Sequence, residues 1–148
     1  MEFTAAPAGV HFAAPALILT DLAGEPHSLS DFRGQVVLVN LWATWCPPCK
    51  AEMPVLQEYF ERQRDQGFII IAIDDGDPPP EVRAFVQEYG LTFSIWLDPT
   101  YEATERAFKT RALPSSYVID REGMVRLAWA GAITAANLDR FVTPLIKE

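Results

Sequence analysis

Cys46 and Cys49 are the only two cysteines in the 148 residues, and two prolines separate them. At this spacing the pair can close a disulfide, and either thiolate can attack a disulfide in another molecule. An apolar run, Val36 to Trp42, leads in, and a helical pattern, Lys50 to Asp65, leads out. A cysteine at such a strand-to-helix junction sits beside the unpaired N–H groups of the first helical turn, where the helix dipole favours negative charge. Lowering a thiol from about 8.5 to about 7 corresponds to roughly 2 kcal/mol of differential stabilisation. Pro47 and Pro48 suit the first helical positions but remove donors that could serve the thiolate. The motif therefore leaves the direction of the shift open.

Other readings of the pair compete. C-x-x-C is also half of a zinc site, but there is no second pair, and His11 and His27 lack the H-x3-5-H spacing. A purely structural disulfide across so short a loop restrains little of the unfolded chain. A carrier using the two thiols as ligands would suit copper better than zinc.

Composition narrows the class. With 49% hydrophobic and 22% charged residues the chain reads as one globular domain. A net charge of -8 without a Lys/Arg cluster argues against nucleic acid. No apolar run approaches the roughly 20 residues of a membrane span. Met1-Glu2-Phe3-Thr4 is acidic and lacks the basic start of a signal peptide, so residues 1–4 read as an expression scar that replaced a native signal or anchor. A cytoplasmic protein with its own start is the alternative.

The elements that position the cysteines follow in order. Residues 1–15 read as a loose lead-in and 16–148 as the domain. Leu17 to Thr20 and His27 to Leu29 form a hairpin about the Gly24 turn. His27 is an exposed strand residue with no partner in its context. Gln35 to Trp42 and Phe68 to Ile73 are apolar on both faces, as buried parallel strands are. Asn40 is the polar exception, read as an amide tying strand to helix. The helix after Cys49 turns Met53, Leu56, Tyr59 and Phe60 inward, with Pro54 within it. Asp74 to Pro80 is an acidic, proline-rich loop at the carboxyl end of a parallel strand, the end where such folds place their chemistry. A helix to Tyr89, a strand at Phe93 to Leu97 and a short helix at Thr100 to Phe108 come next. The hairpin around Asp120 to Gly123 and a last helix capped by Thr134 complete the chain.

WATWCPPCKAEMP after VVLVNLW resembles the thioredoxin-like proteins of the TlpA/ResA type, and the likeness runs from Ala16 to Ile146. The family implies a central mixed sheet flanked by helices, with an N-terminal β-hairpin and an inserted αβ unit. It implies an extracytoplasmic thiol–disulfide oxidoreductase that works through a redox-active disulfide, Cys46–Cys49, with no other cofactor. Pro114-Ser115-Ser116-Tyr117-Val118-Ile119-Asp120 is similar to the family's cis-proline stretch, so Pro114 is expected to be cis. Leu113 would then offer backbone groups to an extended partner. By motif position Trp45 lies beside Cys46, shielding the disulfide and meeting partners. Asp77 stands where the family keeps an acidic residue near the pair, and is expected to modulate Cys49; solvated loop charge is the competing reading. Thioredoxins commonly keep a buried Asp where this chain has Asn40, so another group must take the Cys49 proton. The implied partners are a disulfide-containing protein substrate, such as an apoprotein in cytochrome c maturation, and a membrane thiol–disulfide carrier as electron donor, with the chain itself monomeric. A disulfide oxidase or isomerase with the same residues is the main alternative. A peroxidase would need a T-x-x-C site that this chain lacks.

Overall fold

The structure, a computed structural model, describes residues 5–148. The expected scar at residues 1–4 lies outside them. Eight strands form one mixed sheet in the order β1-β8-β7-β4-β5-β6-β2-β3. Its centre is β4 (Val36–Trp42), parallel to β5 (Phe68–Asp74), which is parallel to β6 (Ser94–Leu97). On the other side β7 (Ser115–Ile119) runs antiparallel to β4, and β8 (Met124–Ala130) antiparallel to β7.

Every residue of β4 is buried, because apolar groups cover the sheet on both faces. One core packs Trp42, Met53, Leu56, Phe68, Phe85 and Leu138 beneath the helices. The other packs Leu17, Leu41, Ile71, Ile73 and Trp96 on the opposite face. Burying each such side chain contributes roughly 1.5–3 kcal/mol. Helix α1 (Pro47–Gln63) begins at the prolines themselves and runs through an exposed Pro54; α2 (Pro79–Tyr89) closes on Gly90 at φ 63°. Thr134 caps the C-terminal helical run, its hydroxyl accepting from the Asn137 N–H at 3.2 Å. Among the described residues no helix is long and apolar enough to cross a membrane.

Two expectations need correction. Residues 8–13, read within a loose lead-in, form strand β1 (Ala8–Ala13), antiparallel to β8. Its side chains are almost all exposed, so backbone pairing holds it and the apolar pattern gives little sign of it. His27, read as lacking a partner, lies in β3 (Pro26–Ser28), paired with β2 (Ile18–Asp21). Its Nε2 is 2.7 Å from Asp21 Oδ2 and its ring stacks on Trp96 at 5.8 Å. The Asp21 carboxyl is held below its ordinary value, first by the bond to His27.

Between β6 and β7 the inserted unit contributes a helical segment, Glu102–Ala107, wound wider than an α-helix: the Phe108 N–H reaches back to the Ala103 carbonyl at 2.8 Å. Asp98, buried, caps it by accepting from the Glu102 and Ala103 N–H groups at 2.9 and 2.8 Å.

Candidate active site

Strand β4 delivers the chain to Trp42, and three loop residues later Cys46 caps α1. Proline has no N–H, so Pro47 and Pro48 leave the Cys49 amide as the first free donor of the helix. That amide donates to Cys46 Sγ at 3.3 Å, and the Lys50 N–H takes the Cys46 carbonyl at 3.1 Å. The helix terminus thus gives one donor to the sulfur. The two cysteines are disulfide-bonded, with Cα atoms 5.2 Å apart, and are 3% and 1% exposed.

The second wall is the stretch before β7. The Leu113–Pro114 peptide is cis, as the resemblance implies, and Pro114 is buried. The Leu113 carbonyl oxygen lies 3.7 Å from Cys46 Sγ, and the Pro114 carbonyl accepts from the Gly131 N–H at 2.8 Å. Trp45, Pro47 and Pro48 are exposed around the pair; Trp45 at 65% is the largest apolar surface there.

Asp77 comes to the site by an unexpected route. Its Oδ2 accepts from the Thr44 N–H at 2.8 Å, in the loop that carries Cys46, and its own N–H donates to Asp74 Oδ1 at 2.8 Å. The carboxylate therefore braces the Cys46 loop. Asp74 is fully buried at the end of β5, and burial, with Asp77 and Asp75 beside it, pushes its carboxyl up to about 8. Asp75 accepts from the Thr104 hydroxyl at 3.1 Å. Gly76, at φ 84°, is pressed by Tyr101: a Cβ there would stand 2.5 Å from the ring.

A buried polar triad joins the strands to α1 one helical turn after Cys49. Asn40 Nδ2 donates to Glu52 Oε1 at 3.2 Å and to Ser116 Oγ at 3.0 Å, tying β4 to α1 and β7. Asn40 has the structural role expected of it. Glu52 was missed. It is 1% exposed, its Oε2 makes no hydrogen bond within the described chain, and burial pushes the carboxyl up to about 8. The signal was its place three residues after Cys49, on the face that also carries Met53 and Leu56.

Residues 10–128 match the AhpC/TSA family. The chain belongs to that family. Among its AhpC/TSA-like relatives, the thiol-disulfide oxidoreductase ResA of Geobacillus kaustophilus (strain HTA426) is 39% identical over 127 residues, 86% of this chain and 72% of that protein. The ResA of Geobacillus thermodenitrificans (strain NG80-2) is 37% identical over 125 residues, 84% and 71% of the two chains. A structure from Chlorobium tepidum assigned as thiol:disulfide interchange protein DsbE superposes with a TM-score of 0.84 at 26% identity, covering 92% of this chain and 96% of that one. A secreted thiol-disulfide isomerase from Corynebacterium glutamicum, at 24% identity, shares the fold with a TM-score of 0.86 over 96% of this chain and 92% of its own. This AhpC/TSA member is a thiol–disulfide oxidoreductase of the ResA/DsbE type, and Cys46–Cys49 is its cysteine pair.

Proposed function

We propose that the chain works as a reductant of disulfides in partner proteins outside the cytoplasm, recharged by a membrane thiol–disulfide carrier. Reduced Cys46, as thiolate, attacks one sulfur of a partner disulfide. A Cys46–partner bond forms and the other partner sulfur leaves as a thiolate. Cys49 gives up its proton and attacks Cys46 Sγ, which restores the Cys46–Cys49 disulfide and releases the partner with two electrons gained. Glu52, on the same helix face as Cys49, buried and with its carboxyl near neutrality, is the group suited to take that proton. Leu113 offers the backbone against which the attacked segment lies. An apoprotein awaiting haem attachment fits this role, by likeness to the TlpA/ResA group.

The observation that carries the reducing direction is the poverty of donors at Cys46. A single N–H faces its sulfur, two prolines withhold others, and the pair is buried. A thiolate so weakly stabilised makes the dithiol readier to give up electrons; strong oxidants do the reverse and stabilise their reduced form. Titrating the pair against a glutathione or dithiothreitol buffer, with tryptophan fluorescence as readout, tests this. A potential near or below about -270 mV supports the reductant, and one near -120 mV makes disulfide donation the function instead. Labelling of the reduced cysteines in intact cells by a membrane-impermeant maleimide tests the compartment; protection of both until lysis would place the protein inside.

A further inference from the structure

A groove of about 680 Å³ opens between the inserted segment and the chain that leads to Pro114, and it ends at Leu113, whose carbonyl lies 3.7 Å from Cys46 Sγ. Lys109, Arg111 and Leu113 line one side; Tyr101, Glu105 and Asp75 line the other. The two sides differ in how their charges are used. Asp75 is engaged by the Thr104 hydroxyl, and its carboxyl is pushed up by burial first and then by Asp98, Asp77 and Glu105 nearby. Lys109 and Arg111 are exposed and, among the described residues, make no ion pair and no side-chain hydrogen bond. These are two unused cations on a chain of net charge -8.

The backbone of the same strip alternates. The Thr110 N–H is taken by the Thr104 carbonyl and the Ala112 N–H by the Thr110 hydroxyl. The N–H and C=O groups of Arg111, between them, make no hydrogen bond within the described chain, and at Leu113 only the carbonyl has a neighbour, Cys46 Sγ at 3.7 Å. A segment whose cysteine is joined to Cys46 must therefore start beside Leu113. Laid along the open strip as an added strand, it passes Arg111 after about 7 Å at roughly 3.3 Å per residue, and Lys109, where the backbone bends at φ 51°, stands beyond it.

We propose that Lys109, Arg111 and Leu113 form a docking edge that selects partner proteins whose cysteine-bearing segment carries an acidic side chain two to four residues from the attacked cysteine. Arg111 and Lys109 supply the charge that such a side chain meets, and the acidic far wall repels a basic one. The proposal rests on Cys46 being the attacking sulfur, as set out above.

The test uses the reduced protein and two uncharged-backbone peptides. Each has one cysteine activated as its thiopyridyl mixed disulfide, with either Glu or Lys at the second and fourth positions on both sides of it. Release of thiopyridone reports each attack. The readout is the ratio of the second-order rate constant for the Glu peptide to that for the Lys peptide, in a single turnover of the reduced protein, taken within each variant so that changes in thiol reactivity cancel. The wild type is expected to favour the Glu peptide by about tenfold at low salt, with the gap shrinking as salt rises. Arg111→Glu should invert the ratio and Lys109→Glu should narrow it; the two variants check one another if either folds poorly. A wild-type ratio near one, or a preference that neither variant moves, overturns the docking edge. If the wild type reduces neither peptide nor dithiodipyridine, a small neutral disulfide, the thiol-exchange reading itself fails.

Discussion

Asp77 Oδ2 and the Thr44 N–H are 2.8 Å apart, a bond that joins the loop after β5 to the loop that carries Cys46. It holds the backbone two residues before Cys46 with a carboxylate. Asp77 in turn rests on buried Asp74, and Gly76 between them on Tyr101. The inserted unit, the acidic loop and the cysteine loop are therefore one connected structure.

Asp77→Asn keeps an oxygen for the Thr44 N–H and removes the carboxylate. Alkylation of reduced Cys46 should then set in at lower pH, because a nearby negative charge no longer opposes the thiolate. Alkylation rate against pH, followed by mass, measures it. An unchanged profile would reduce Asp77 to a loop brace.

Glu52→Gln keeps the acceptor for Asn40 and removes the titrating carboxyl. In the wild type, resolution of a Cys46 mixed disulfide should quicken as pH rises through about 8, where the Glu52 carboxyl gains its base form. The variant should lose that inflection and slow by about tenfold or more below it. Stopped-flow release of a fluorescent thiol reads both effects.

Asp74→Asn should flatten the dependence of stability on pH. The carboxyl rises from 3.8 to about 8 on folding, so between those values the native state holds a proton that the unfolded chain has released. Stability is fully present below about pH 4, falls as pH rises toward 8, and levels off above it; Glu52 acts in the same sense. The difference in unfolding free energy between about pH 5 and about pH 9 should be smaller in the variant by at least about 1 kcal/mol, measured by urea titration.

Gly76→Ala should destabilise the protein by roughly 1–3 kcal/mol, through both its left-handed backbone and the collision with Tyr101. In a Tyr101→Ala background the collision is gone and only the backbone cost remains. Equal costs in both backgrounds, by the same urea measurement, would show that the ring does not press on Gly76.

Much of this architecture is legible from residue order because its causes are local. A short, valine-rich run apolar on both faces but for Asn40, such as Val36 to Trp42, suits a buried strand, and CPPC at a strand-to-helix junction carries its own chemistry. The cis Leu113–Pro114 peptide followed from resemblance, since an X-Pro pair alone favours trans. The parts that were illegible depend on contacts distant in sequence. Strand β1 is defined by the edge of β8, which its exposed side chains do not announce. Glu52 reads as a surface charge on α1 until the fold buries it and Asn40, itself bonded to Ser116, donates to it. Asp77 could be assigned to the neighbourhood of the pair, but its partner, a backbone amide 33 residues away, has no signature in the sequence.

The double proline at the start of α1 has a spectroscopic consequence. Pro47 and Pro48 contribute no peaks to an amide proton spectrum, so the Cys49 resonance is the first signal of the helix and the one whose N–H faces Cys46 Sγ. Its chemical shift follows one hydrogen bond to one sulfur. A pH series on the reduced protein would therefore read the charge of Cys46 Sγ from a single cross-peak, without labelling either cysteine.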